Sequence, residues 1–419
     1  MDILLRELNN QIPEINNFFK QYENEIMPIY SSIDIRDSGY KCCVVDTNLF
    51  PSGFNNISPS MFDRTAFLLS SAINNRINAV KTICLIIENH TRNSFYIQHV
   101  SALYTILKKA NYNVYVATFN SEIPENGLEF EVRGSDTIIL YDLNFILDKI
   151  NFDLIFLNHD LSLGVPPIIK KLSVPTLPSF YLGWHSRLKS QHFSFLDKSI
   201  KSFASTFNFD DWLLQPYFTA VPDINIDNED DRQRLYEASK ILFNKIQEKY
   251  DAYNISDKPF IFIKNDTGTY GMGVQAIESP NSFLQLNRKT RNKLSSGKYQ
   301  KSVNKFILQE GVSSNITKNN LVSEICYYQV ETNFIGSFFR SNLLKSKRDN
   351  LNSKGMNFSK IPSKNPSSYE RGISIDLNVI KDHNPNYLLY SILARLACIA
   401  ACKEQNQLIN LSETQVFNA

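Results

Sequence analysis

The run Phe260-Ile261-Phe262-Ile263-Lys264-Asn265-Asp266-Thr267-Gly268-Thr269-Tyr270-Gly271-Met272-Gly273-Val274 leads from an apolar strand through a lysine into a loop with three glycines. Glycines let backbone N–H groups turn inward and approach phosphate oxygens closely. A lysine at the strand end supplies a mobile point charge for the same oxygens. The run is no Walker A loop, because it lacks GKS or GKT, and no helix follows as a dinucleotide fingerprint requires. A plain glycine-rich β-hairpin would share these letters. About forty residues on, Gln309-Glu310-Gly311-Val312 closes a second apolar strand. An acid and free backbone at such a strand end can bond an adenine edge and a ribose. Glu324, Arg340 and Asn350-Leu351-Asn352-Ser353-Lys354-Gly355 come next. Oxygen donors beside a phosphate site suit Mg²⁺, which takes few protein ligands and shares the phosphate oxygens. An arginine there can stabilise charge on a transferring phosphoryl group. Taken singly, each of these is also what a surface ion pair or a turn looks like.

No nucleophile–base arrangement stands out. The histidines are His90, His99, His159, His185, His192 and His383, with no HExxH or GxSxG motif. Asp160 and Asp376 are acids suited to a cleft, without a partner visible in the sequence.

These residues need elements to position them. TICLIIE (82–88), NVYVA (113–117), TIILY (137–141) and DLIFLN (153–158) read as strands, with a helix over 95–109 and another between the last two strands. Apolar strands alternating with helices imply a parallel sheet covered on both faces. Asn89-His90-Thr91-Arg92 and Asn158-His159-Asp160 follow strand C-termini, the edge that ligands favour in open α/β sheets. The first 30 residues read as helix interrupted at Pro13. Asp34, Arg36 and Asp37, then Asp46 to Asn56, read as a polar loop able to grip a ligand. An acidic loop at 223–231 precedes a helix to about Tyr250. From Pro259 the pattern is antiparallel α+β, with strands at 260–264, 273–277, 305–309, 322–330 and 333–339 and helices at 280–286 and 385–405. A boundary near 178–190 divides the chain into 1–180 and 181–419.

With 44 basic and 42 acidic residues, the charge gives no general argument for a nucleic-acid or membrane partner. Residues 281–309 hold seven Lys or Arg and no acid, but with the total charge near zero a solvated face near a nucleotide is expected there rather than a nucleic-acid patch. No run approaches the roughly 18 apolar residues of a membrane span, and the start lacks a signal-peptide pattern. Six scattered cysteines without a CxxC pair fit small core residues in a reduced, cytoplasmic setting.

The ordered stretches VDTNLFPSGFNN (45–56), GWHSRLKSQHF (183–193), KNDTGTYGMGV (264–274), LNRKTRNK (286–293), LQEGV (308–312) and NLNSKGMNF (350–358) resemble ATP-grasp enzymes. More closely they resemble the bacterial glutamate–cysteine ligases built on that fold, over roughly residues 30 to 405. The resemblance implies an ATP-grasp fold behind a Rossmann-like pre-ATP-grasp domain, with an ATP-binding lid at about 181–312 and a catalytic part at about 313–419. It implies ATP and Mg²⁺ as cofactors. It also implies phosphorylation of the γ-carboxylate of glutamate and attack by cysteine to give γ-glutamylcysteine, the first step of glutathione synthesis. Joining of other amino acids, as in glutathione synthetase, is the alternative. In that reading Lys264 and Arg340 are catalytic. Lys189 and Lys264 touch phosphates under a lid of Gly268, Thr269, Tyr270, Gly271 and Gly273, and Gln309, Glu310 and Val312 line the adenine. Arg36, Asn48, Asn55, Asn56 and Asp160 bind the amino acids, and Glu324, Asn350 and Asn352 bind the metal. Asp376-Leu377-Asn378 is a loose analogue of the Glu-x-Asn metal pair of many ATP-grasp enzymes. Partners are then small molecules, with no nucleic acid and no membrane. The sequence leaves a homo-oligomer open.

Overall fold

The computed structural model describes residues 1–131, 137–268, 273–295, 303–363, 371–379 and 385–417. The chain enters through helices α1 (Asp2–Asn9) and α2 (Ile12–Lys20), with Pro13 in the first turn of α2, where its missing N–H costs nothing. Of the stretch read as a polar loop, the part up to Asn48 is instead a hairpin, β1 (Tyr30–Asp37) and β2 (Cys42–Asn48), while residues 49–53 are loop as expected and Phe54–Asn56 is a 3₁₀ turn. Helix α3 (Phe62–Asn74) leads into the alternating region: β3 (Thr82–Ile87), α4 (Ser94–Lys109), β4 (Asn113–Thr118), β5 (Leu128–Phe130), β6 (Ile138–Asp142), α5 (Leu143–Lys149), β7 (Leu154–Asn158), α6 (Pro167–Lys171) and β8 (Thr176–Leu177). The remainder runs α7 (Lys189–Thr206), β9 (Phe218–Val221), α8 (Glu229–Ala252), β10 (Ile261–Asn265), β11 (Gln275–Ile277), α9 (Arg288–Ser295), β12 (Phe306–Glu310), β13 (Thr317–Lys318), β14 (Leu321–Val330), β15 (Asn333–Asn342), β16 (Met356–Lys360), α10 (Ile373–Val379) and α11 (Tyr387–Phe417). The helix expected at 280–286 is only a 3₁₀ turn, Pro280–Phe283.

Three sheets result, a mixed α/β architecture. The first has the order β5-β6-β4-β3-β7-β8 and is parallel except for edge strand β5. From β3 the chain winds outward through β4 and β6, then crosses back to β7 on the other flank. The crevice between β3 and β7 is therefore where the winding direction reverses. A second sheet, β11-β10-β12-β9, is antiparallel and packs on α8 through Leu235, Leu242 and Ile246. The third, β16-β15-β14-β1-β2, takes the N-terminal hairpin against strands about 300 residues later: Ile35 pairs with Ile325 and Ile33 with Tyr327. Residues 30–48 thus belong by pairing with residues 321–360.

Helix α11 holds the third sheet. Every residue from Tyr387 to Cys402 is buried, as expected of a helix apolar on all sides. Its buried Glu404 accepts from Arg187 Nε at 2.8 Å and Nη2 at 3.0 Å, and pairs with His192 Nδ1 at 3.1 Å. Burial alone would raise the pKa of this carboxyl, but Arg187 and His192 overcome it and hold it at about 2. The pair ties α11 to α7 and to the segment just before it.

Candidate active site

Strand alternation builds the site. Along β1, Ile33 and Ile35 point into the core with Leu393 and Ala397 of α11, so Ser32, Asp34 and Arg36 share the opposite face. On that face Asp34 stands opposite Asp46 and Cys326, Ser32 opposite Asn48 and Tyr328, and Glu324 opposite Arg340.

Four of these side chains form a buried row of alternating charge. Arg340 Nη1 donates to Asp34 Oδ2 at 2.7 Å and to Glu324 Oε1 at 2.8 Å. Arg36 Nε donates to the other Glu324 oxygen at 2.8 Å, and its Nη atoms donate to the carbonyls of Val312 and Asp349 at 3.2 and 2.5 Å. Burial works against each charge and the neighbours offset it. Burial pushes Glu324 upward, but Arg36 and Arg340 outweigh it and hold the carboxyl below its ordinary value. Burial raises Asp34; Arg340 opposes the rise and the charge of Glu324 adds to it. Arg340 Nε is buried without a hydrogen-bond partner among the described residues, so one donor of its fork remains unused.

Two lysines approach from other elements. Lys189 opens α7, sits 4.4 Å above the Trp184 ring and contacts Asp46 Oδ1 at 2.5 Å. Lys264, on β10, donates to Gln309 Oε1 at 2.6 Å and to the Val45 carbonyl at 2.9 Å. Burial lowers its pKa, Asp46 pulls it back, and the like charges of Lys189 and Arg36 lower it again, leaving it at about 8. Asp266, at the root of the glycine-rich loop, binds the start of α7. Its carbonyl accepts the Lys189 N–H at 2.8 Å, and its carboxylate accepts Ser190 N and Oγ, each at 2.7 Å. Leu188, the N-cap residue, has no side chain for this, so the cap comes from the loop.

Arg36, Lys189, Lys264, Gly268, Glu324, Arg340, Asn350 and Asn352 line one basin, together with Asp34 and Asp46. Asn48, Asn55, Asn56 and Asp160 line a neighbouring cleft of about 990 Å³, which shares Asp46, Arg340 and Asn352 with the basin. Arg36 lies in the basin rather than among the cleft asparagines. Gly273 stands one residue before the basin residue Val274, in a left-handed conformation (φ 68°). Thr269, Tyr270 and Gly271 fall outside the described residues. Gln309, Glu310 and Val312 do not line the basin. Adjacent strand residues point to opposite faces, so Gln309 meets Lys264 while Glu310 faces away. Its carboxylate is held there by Lys41 at 2.8 Å, by Trp212 Nε1 and by the Tyr217 N–H. Asp376 is also remote: buried, and paired with Arg64 and Arg395 at 3.2 and 2.5 Å. Asp34 and Asp46, expected only as members of a polar loop able to grip a ligand, stand on β1 and β2 and line the basin, and Ile33 and Ile35 alternating with Asp34 and Arg36 carry the period of a strand. The donors around the basin are carboxylates and side-chain amides with no His or Cys, a set that suits a hard cation rather than zinc or copper. Cations facing an oxygen-rich basin are suited to gathering a polyphosphate and a divalent cation and to stabilising a phosphoryl group in transfer.

A family model described as GshA, glutamate-cysteine ligase, matches residues 6–405. A crystal structure of a proposed gamma-glutamylcysteine synthetase from Methylobacillus flagellatus KT superposes with a TM-score of 0.85 at 31% identity, covering 97% of this chain and 96% of that one. A glutathione synthetase-like effector from Globodera pallida aligns at a TM-score of 0.36 and 12% identity, over 81% and 77% of the two chains. No curated protein matches the chain.

Proposed function

The chain belongs to the glutamate-cysteine ligase family, ATP-dependent ligases that form γ-glutamylcysteine, and from that premise we propose how its residues divide the reaction. A carboxylate is a poor electrophile until one oxygen leaves as phosphate. ATP therefore phosphorylates the γ-carboxylate of glutamate, and the cysteine amine then displaces phosphate from the acyl phosphate. The site must gather phosphate charge and keep water from the acyl phosphate. The observation that carries the assignment is the convergence of Arg36, Lys189, Lys264 and Arg340 on one basin that opens into a cleft large enough for two amino acids.

In this reading Lys189 and Lys264 hold the ATP phosphates, and Arg340 faces the phosphoryl group in transfer with its unused Nε. Adenine lies along the backbone at 309–312, with Gln309 turned inward and Glu310 kept for structure. Asp46, Asn350 and Asn352 are the oxygen donors for Mg²⁺, and Glu324 joins them only by giving up an arginine. When bound, the ion neutralises phosphate charge. The lid over the phosphates is assigned to 268–273, of which 269–272 lie outside the described residues, and Asp266 before it binds the start of α7 at Lys189. Asn48, Asn55, Asn56 and Asp160 receive the amino acids in the cleft. The fold is read as ATP-grasp preceded by a Rossmann-like domain, with the β1–β2 hairpin grouped with the C-terminal catalytic part. Among the described residues no helix is long and apolar enough to cross a membrane; a cytoplasmic enzyme acting on small molecules accords with this reading.

The test is incubation of the purified protein with ATP, Mg²⁺ and glutamate, with and without cysteine. Cysteine-dependent ADP release with γ-glutamylcysteine as product is expected. Turnover only with another acceptor, such as glycine, would overturn the assignment of substrate while keeping the chemistry.

A further inference from the structure

The amino-acid substrates each carry an α-carboxylate, and a cleft that selects them needs a cation for it. The basin cations are already committed. Arg340 is held by Asp34 and Glu324, Arg36 by Glu324 and two carbonyls, Lys189 by Asp46, and Lys264 by Gln309 and Val45. Arg92 differs: it lines the cleft, and its side chain has no ion pair or hydrogen bond within the described residues.

Its place in the fold is also distinctive. Arg92 lies in the loop after β3, and Asp160 in the loop after β7, across the crevice where the winding of the parallel sheet reverses. Such crevices, outside the carboxyl ends of the strands, are where open α/β sheets hold ligands. The two loops touch, since the Asp160 N–H donates to Glu88 Oε1 at 3.1 Å. The Arg92 loop is fixed at both ends. The His90 N–H bonds the Glu88 carbonyl at 2.9 Å and the Asn93 N–H bonds the His90 carbonyl at 3.0 Å. Asn93 Oδ1 then caps α4 by accepting from Phe95 and Tyr96 N–H groups at 3.1 and 3.3 Å. The backbone is thus set, and Arg92 is an exposed residue of the cleft lining with an uncommitted guanidinium.

We propose that Arg92 binds the α-carboxylate of an amino-acid substrate, as a specificity-determining residue at the β3–β7 crevice; this rests on the ligase reading above. A guanidinium takes a carboxylate through two parallel N–H···O bonds, which a lysine cannot copy. Glutamate and cysteine offer the same group, and the experiment separates them.

The test compares wild type, Arg92→Ala and Arg92→Lys by steady-state kinetics with ATP, glutamate and cysteine varied in turn. Thermal melting and KM for ATP report on the fold. Loss of a charge-assisted carboxylate contact should raise KM for one amino acid by roughly ten- to hundredfold in Arg92→Ala, with partial recovery in Arg92→Lys. The amino acid whose KM rises is the one whose carboxylate Arg92 holds. The α-carboxamide analogue of that substrate should be poor with wild type and lose this handicap against the natural substrate in Arg92→Ala, a change that general loosening of the cleft would not produce. Unmoved KM values for both amino acids, or an amide handicap kept in Arg92→Ala, would overturn the proposal alone. Absence of γ-glutamylcysteine from the wild-type reaction would overturn the ligase reading as well.

Discussion

Lys264 is held at about 8 because it is buried beside Lys189 and Arg36. ATP phosphates against its Nζ would supply the missing counter-charge and return it toward its ordinary value near 10.4. Nucleotide binding then draws a proton from solution whenever Lys264 begins uncharged. With a pKa of about 8, the uncharged fraction is about one tenth at pH 7, about one half at pH 8 and about nine tenths at pH 9. Proton uptake should follow those fractions, and above pH 8 this group should weaken nucleotide affinity by about tenfold per pH unit. Calorimetry in two buffers of different ionisation enthalpy measures the uptake directly. Lys264→Arg is the comparator, because arginine keeps its charge across this range, and titration of the nucleotide itself is common to both proteins. Equal uptake by wild type and Lys264→Arg at pH 9 would refute the reasoning. The same lysine sets a stability window. Below pH 8 it is charged whether folded or unfolded. Between about 8 and 10.5 only the unfolded chain keeps the proton, so stability of the ligand-free protein should rise with pH there relative to Lys264→Arg, by up to roughly 3 kcal/mol. Parallel urea-midpoint curves would contradict this.

Arg340→Lys removes the fork that spans Asp34 and Glu324 and should lower kcat by roughly 10²–10³-fold with a smaller change in KM for ATP, checked by initial rates. Arg187→Ala leaves Glu404 charged and buried without its main partner, which should cost roughly 3–5 kcal/mol in chemical unfolding. In wild type the stability drawn from Glu404 is complete above pH 4.5 and fades as pH falls toward 2, so Arg187→Ala should flatten that part of the acid-unfolding profile. Gly311→Ala would place a Cβ 2.3 Å from the Phe260 ring in a buried strand end, and a loss of roughly 1–3 kcal/mol is expected from its melting.

The chemistry-bearing stretches were legible because they are local. A lysine at the end of an apolar run, three nearby glycines and two asparagines in a turn announce themselves at short spacing. The parallel sheet was equally plain from its apolar strands. The N-terminal hairpin was not, because Ser32, Asp34, Arg36 and Asp46 carry loop-like letters although all four sit on strands, and in β1 the alternation of Ile33 and Ile35 is the one local sign of a face packed on the apolar core. Their partners lie about 300 residues away in β14, a pairing that no local window contains. This also hid Asp34 and Asp46 as basin residues. Glu310 shows a second limit: next to Gln309 in sequence, it projects from the opposite face of β12 and serves a buried cluster of Lys41, Trp212 and Tyr217. Asp376 and Asn378 keep the spacing of a metal pair, yet two buried arginines claim the aspartate.

Glutamate labelled with ¹⁸O in its γ-carboxylate tests the account most directly. Turnover with ATP and cysteine should deliver about one labelled oxygen into inorganic phosphate for each γ-glutamylcysteine formed, because the carboxylate oxygen that accepts the phosphoryl group leaves with it. Phosphate free of label, at full yield of the peptide, would contradict an acyl phosphate held among Lys189, Lys264 and Arg340.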